Sequence, residues 1–246
     1  MRPYFSVVGM RCGDAFWTAN WLRQHFTTVD LRVGQYAHDV WETVNELTDL
    51  EINIVEVVPD RPANDIADVL RLNEGDPSTK ALVGAWSPKS SKFVPCFPGH
   101  IRYDLLTPFE DLPESYVCVH TESISRWKNH PEILKVNFPL PVVCVGQRSA
   151  AMRPEWIDRR GLSWRDTLRV VWNASVVVVI ASSVLSACMF LMKRPVVVCS
   201  FRSDQPHVGP LYLGVDLVRP SPRLIIRSVN FCLRWRRWDN VLFATR

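Results

Sequence analysis

The chain has 246 residues, 47% of them hydrophobic and 22% charged. That is enough apolar material for one large core or two smaller ones, and it excludes a disordered protein. A net charge of +4 is too mild by itself to mark a nucleic-acid binder, and seven cysteines without a C-x-x-C pair exclude a zinc ribbon or a disulfide frame. Scattered through apolar stretches, they read as reduced, mostly buried thiols of a cytoplasmic protein. The first ten residues are too short in their apolar part for a signal peptide and have no small-residue cleavage site.

In chain order, a strand is expected over residues 4–8, then a glycine-containing turn over 9–14 and a helix over about 15–25. Phe16, Ala19, Trp21, Leu22 and Phe26 supply an apolar face for that helix. A strand over 29–33, a helix over 38–47 and a strand over 52–58 complete a βαβαβ pattern of the mononucleotide-binding kind. From residue 59 to about 113, prolines and turn residues dominate and no element order is predicted. A boundary is expected near 112–115.

The second half opens with a strand over 116–120, followed by a polar loop to residue 130 and a helix start near Pro131. A strand over 142–145 is closed by Gly146, Gln147 and Arg148. Ser163 is expected to cap a helix over 164–173. Residues 172–192 form a run of 21 residues without a formal charge, long enough to span a bilayer. Its character changes midway, however: a β-branched block over 176–180, a polar break at Ala181-Ser182-Ser183, a helix-compatible stretch over 184–192, and a further strand over 196–199. That order reads as a buried βαβ unit of a parallel sheet. The tail is expected to be helical over about 223–238, with Leu224, Ile225, Val229 and Phe231 among arginines. Residues 219–246 hold seven arginines and one acidic residue, Asp239. The predicted class is α/β: two Rossmann-like doubly wound halves, residues 1–113 and 114–220, with a basic C-terminal helix over 221–246.

Specific stretches sharpen this pattern. The segment GDAFWTANWLR, residues 13–23, resembles the Gly-Asp turn and helix that open the lipopolysaccharide heptosyltransferase family. YVCVHTESISRWKNHPE (116–132) resembles that family's strand and basic loop. VVCVGQR (142–148) and the stretch from 160 to 198 resemble its later strand, short helix and donor-phosphate turn. The resemblance covers roughly half the chain. It implies the GT-B architecture, an inverting transfer from a nucleotide-sugar donor, and no bound metal or other cofactor. It also implies that Asp14 is the general base. The turn after residues 176–180 departs from the family, which usually has Asp-Thr/Ser-Gly there and a His in the following helix. This chain has Ala181, Ser182 and Ser183, with Ser186 further on.

A carboxylate at a strand-to-helix turn suits a base, because ligands in such folds bind at the carboxyl edge of the sheet. Asp14 meets that description, and helix capping is its structural alternative. Gly13 shortens the same turn and is included among donor contacts. The leaving diphosphate needs amide donors and positive charge, for which Ser182, Ser183 and Ser186 at a helix start and Arg126 and Lys128 in the basic loop are candidates. Gln147 and Arg148 are positioned to line a nucleotide pocket, whereas His120 at its strand end reads as structural. No metal-ligand cluster is evident. The acceptor is a saccharide or a modified DNA base; for DNA, Arg234, Arg236 and Arg237 would contact phosphates. A third reading is a non-catalytic protein of the same fold whose basic, aromatic tail lies at a membrane surface.

Overall fold

The computed structural model describes residues 2–62, 69, 71–73, 101–123, 129–193, 195–199, 215–218 and 221–243, with backbone alone at 199, 215–218 and 235–243. The chain divides into two compact units. One is Met1–Leu105 with Phe190–Met192; the other is Leu106–Met189 with Lys193–Arg246.

Among the described residues, the first unit holds a three-stranded parallel sheet in the order β1-β2-β3, formed by Tyr4–Val7, Thr28–Gly34 and Glu51–Val58. Helices α1 (Cys12–His25) and α2 (His38–Leu47) supply the crossovers. Along β2, Val29, Leu31 and Val33 are buried while Asp30 and Arg32 are half-buried, the period-two alternation of a strand with one apolar face. Phe16, Leu22, Trp41, Val44 and Leu47 from the helices are buried with that apolar set. Arg32 and Asp30 make polar contacts on the other face: Arg32 Nε donates to Glu56 at 2.7 Å, and Asn53 Nδ2 donates to Asp30 at 2.9 Å.

Among the described residues, the second unit is built on a six-stranded parallel sheet. Its strands are β4 (Val117–His120), β5 (Val142–Gly146), β6 (Ile157–Arg160), β7 (Val176–Ile180), β8 (Pro195–Cys199) and β9 (Val215–Val218). They lie in the order β6-β5-β4-β7-β8-β9. Counted from β4 as the first strand, this is the doubly wound order 3-2-1-4-5-6 of dinucleotide-binding sheets. All five residues of β7 are buried, as expected of a central parallel strand covered on both faces. The alternate residues Val117, Val119, Val142, Cys144, Val176, Val178, Ile180, Val196 and Val198 form one core. Ile225 and Val229 of the C-terminal helix α5 (Pro222–Phe243) complete it. The start of the basic tail is therefore a packing helix of this unit. The opposite side of the sheet is also buried at Cys118, Val143, Val177, Val179 and Val197. There Tyr116 donates its hydroxyl to the Val170 carbonyl of helix α3 (Trp164–Asn173) at 2.7 Å.

The apolar run 172–192 is broken as the sequence anticipates: α3 ends at Asn173, β7 follows, and helix α4 spans Ser183–Phe190. Among the described residues no helix is long and apolar enough to cross a membrane. Helix α4 closes with Met192 at φ 57° and a Lys193 amide donating to the Cys188 carbonyl at 2.8 Å, a Schellman ending. Two strands escape the sequence reading, β6 and β9. Both are sheet edges, and β6 (Ile157-Asp158-Arg159-Arg160) has no buried residue. Such a strand carries no apolar signature to read. The first helix begins at Cys12, not at residue 15, so Gly13 and Asp14 belong to its first turn and not to the loop before it. The segment beginning at Pro131 is a single 3-10 stretch, Pro131–Lys135.

Candidate functional site

In the second unit, the carboxyl ends of β4 and β7 meet at the point where the chain reverses its direction of winding. The chain leaves β4 toward β5 on one side and leaves β7 toward β8 on the other. Splayed connections at such a switch point open a crevice in which ligands of this fold class bind. Here β4 ends on His120, β5 on Gly146, and β7 is followed by Ala181, Ser182 and the start of α4.

His120 is 4% exposed. Its Nδ1 lies 3.0 Å from Ser182 Oγ. Burial holds the imidazole pKa down at about 4, so the ring is neutral near pH 7. Gly146 adopts φ +122°, and a Cβ there would lie 2.7 Å from His120 Cδ2 and 2.9 Å from Nε2. The glycine is therefore required twice, by its left-handed backbone and by the imidazole occupying its side-chain space. A similar relation joins the next two strand ends. Gly161, at φ +76°, would place a Cβ 2.5 Å from Arg148 Cγ, and its amide donates to the Gly146 carbonyl at 2.7 Å. Arg148 and Gln147 are exposed at the end of β5. Asp158 is held down at about 2 by the Arg160 guanidinium and backbone amide, with Arg148 adding a smaller attraction.

Ser182 closes the first turn of α4, its carbonyl accepting the amides of Leu185 at 3.1 Å and Ser186 at 3.3 Å. A serine in this position commonly turns its hydroxyl onto the amides two or three residues ahead. Here the hydroxyl turns instead to His120. Thr121, next to His120, donates to the Ala151 carbonyl at 2.6 Å. Ser182, Ser183 and Ser186 thus lie on the turn and first helical turn where the sequence predicts them. His120 and Gly146 tie that turn to the Gln147 and Arg148 loop. Arg126 and Lys128 lie outside the described residues, as do the side chains of Arg236 and Arg237 in α5; Arg234 is exposed.

In the first unit, Asp14 is half-buried at the third position of α1, and its Oδ2 accepts the Arg11 amide at 3.4 Å. This is the carboxylate half of a capping box. Gly13 lies one residue earlier in the same turn. A second acid, Asp60, just after β3, organises the same sheet edge and is absent from the sequence reading. It accepts the amides of Gly9 at 2.7 Å and Tyr36 at 3.0 Å. An acid two residues past a strand end was the available signal, but its partners are fixed only by strand order.

Cys12, Cys118, Cys144 and Cys188 are buried; burial pushes Cys144 up to about 11, Cys188 to about 12, and raises Cys118. As protonated thiols, Cys118, Cys144 and Cys188 offer no nucleophile near neutrality. Among the described residues no group of three or more His, Cys, Asp or Glu side chains could hold a metal ion.

No family profile and no curated protein matches the sequence. Solved structures do match in fold. The E. coli ADP-heptose LPS heptosyltransferase II superposes with a TM-score of 0.64 at 9% identity, covering 96% of this chain and 100% of that one. A family 9 glycosyl transferase from Veillonella parvula gives 0.58 at 12% identity, over 94% and 97% of the two chains. The E. coli heptosyltransferase WaaC with ADP gives 0.52 at 12% identity, over 95% and 99%. The chain is thus a mixed α/β protein with parallel sheets whose fold resembles that of heptosyltransferases. At these identities the likeness is one of fold.

Proposed function

We propose that this chain is a nucleotide-sugar-dependent glycosyltransferase of GT-B architecture. The observation that carries the reading is a fold likeness to sugar-transferring enzymes that extends over 94–96% of the chain. The second unit contributes the donor subsite at its switch point. There the first-turn amides of α4, the hydroxyls of Ser182, Ser183 and Ser186, and the cations Arg126, Lys128 and Arg148 receive the diphosphate. Gln147 contacts the nucleoside side of the donor. The first unit contributes Gly13 and Asp14. The Asp14 carboxylate takes the proton of an acceptor hydroxyl as that oxygen attacks the anomeric carbon, and the nucleoside diphosphate departs from the opposite face with inversion. Amides, hydroxyls and basic side chains carry the leaving-group charge in this scheme, without a metal or other cofactor.

A saccharide hydroxyl is the leading acceptor, in keeping with the neighbouring folds. A modified DNA base is the second reading, favoured by the seven arginines of residues 219–246. Calorimetric titration of the purified chain with ADP, UDP, GDP and CDP tests the proposal, and ADP comes first because one structural neighbour was solved with it. One of the four is expected to bind, and binding of none would leave a non-catalytic protein of this fold.

A further inference from the structure

His120 is a costly residue for the structural role that its strand-end position suggests. A polar ring that is 4% exposed loses its hydration, and an apolar residue would fill the same space without that penalty. The fold nevertheless accommodates the imidazole at the expense of β5, which ends on a glycine because His120 occupies the side-chain position there. The ring's hydrogen bond is to Ser182, the residue that closes the first turn of α4. The two lie 62 positions apart in sequence and meet only because β4 and β7 are neighbours.

Resting on the donor subsite proposed above, we infer that His120 is a positioning residue for the donor diphosphate, acting through Ser182. By engaging the Ser182 hydroxyl, His120 turns it away from the α4 amides that a serine at this position usually caps. Of these, the Leu185 amide donates to the Ser182 carbonyl at 3.1 Å, while the amides of Ser183 and Val184, the first two positions of α4, are left for phosphate oxygens. The tautomer follows from the chemistry. A neutral imidazole has one N–H. With the proton on Nδ1, the ring donates to Ser182 Oγ, and the serine keeps its own proton to donate to a phosphate oxygen. With the proton on Nε2, the serine would spend that proton on the ring. The Nδ1–H form is the one that serves an anion. Gly146 is the third member of the arrangement, since any side chain there would displace the ring.

The test is a double-mutant cycle read by nucleotide affinity and by thermal melting. The probe is whichever of ADP, UDP, GDP and CDP binds the wild-type chain most tightly. His120→Phe and Ser182→Ala are each expected to raise its Kd about tenfold, the scale of one charge-assisted hydrogen bond, and the double variant also about tenfold. His120→Asn, whose side-chain amide can occupy the place of Nδ1–H, should stay within about threefold of wild type on the same scale. Imidazole ¹⁵N shifts should report the Nδ1–H tautomer when nucleotide is bound. Ser182→Ala removes one half-buried hydroxyl and keeps the fold testable if His120→Phe does not fold. Unchanged affinity in folded Ser182→Ala overturns the inference, as does strict additivity in the double variant or an Nε2–H tautomer with nucleotide bound. If the wild-type chain binds none of the four nucleotides, the donor subsite itself is refuted and this role falls with it. Wild-type binding with unaffected variants refutes only the role of His120.

Discussion

The carboxylate of Asp60 occupies the space in which Gly34 would carry a side chain: a Cβ on Gly34 would lie 1.7 Å from Asp60 Oδ2. From that position Asp60 accepts the amides of Gly9 and Tyr36, fastening the chain just after β1 and β2 to the end of β3. Gly34→Ala should expel the carboxylate, and Asp60→Ala should remove it. Each is expected to cost about 3 kcal/mol, taking ~1.5 kcal/mol per hydrogen bond to a charged group. Because both changes break the same contact, the double variant should cost little more than either one. Urea unfolding measures this, and fully additive losses would show that the two residues act separately.

Asp14 has a capping contact in the structure and a base role in the proposed mechanism, and one substitution separates them. The Asn Oδ1 can also accept the Arg11 amide, so Asp14→Asn should leave stability within about 1 kcal/mol of wild type. As general base, the carboxylate is worth about 10²–10⁴ in turnover. Nucleotide affinity should be unchanged. A variant with near wild-type turnover would reduce Asp14 to a cap.

The two glycines at the ends of β5 and β6 should respond unequally to alanine. Gly146→Ala combines a left-handed backbone with a clash against the buried His120 ring, and is expected to cost about 3 kcal/mol. Gly161→Ala has the milder backbone demand, at φ +76° against +122°, and meets the flexible, exposed Arg148 side chain, so about 1 kcal/mol is expected. Comparable losses in thermal melts of the two variants would contradict the packing of His120 on Gly146.

Stability should depend on pH through His120. Its folded pKa of about 4 lies below the ordinary value of 6.5, with burial as the cause. Between these values the unfolded chain binds a proton that the folded one does not, so stability is full above about pH 6.5 and falls as the pH drops toward 4. The loss amounts to about 3 kcal/mol by linkage. His120→Asn should flatten this part of the profile. The Asp158–Arg160 pair titrates lower, near pH 2, and leaves this window unaffected. Denaturant unfolding from pH 4 to 8 gives both profiles, and parallel curves would contradict a neutral buried imidazole.

The tail separates the two acceptor readings, but deleting it would not. Ile225 and Val229 of α5 lie in the core of the second unit, so truncation at residue 221 would damage the fold. Replacing Arg234, Arg236 and Arg237 with Gln changes none of those core residues. If the acceptor is DNA, wild-type duplex affinity should fall with salt at a log–log slope of about −0.9 per neutralised phosphate, and the triple variant should lose up to three such increments. A saccharide-directed enzyme should bind duplex weakly, with or without the arginines.

What the sequence by itself determined is local. The β-branched block Val176–Ile180 reads as a strand buried on both faces, and Ser163 could be named as a cap, where its Oγ accepts the Asp166 amide at 3.1 Å. The span of α2 could be read from periodicity because its apolar positions recur on one face. Candidate serines and the Asp14 carboxylate were visible for the same reason: a strand end and a helix start are written in adjacent residues. Only the tertiary structure decided which strands are neighbours. Strand order brings His120 to Ser182 across 62 positions and Asp60 to Gly9 across 51. It also makes β6 an edge strand, free to be polar and so invisible to an apolar pattern. Periodicity reports which face of an element is buried and carries no information about the partner. For that reason a histidine that sequence alone marks as structural acquires a role only once the ends of β4 and β7 lie side by side.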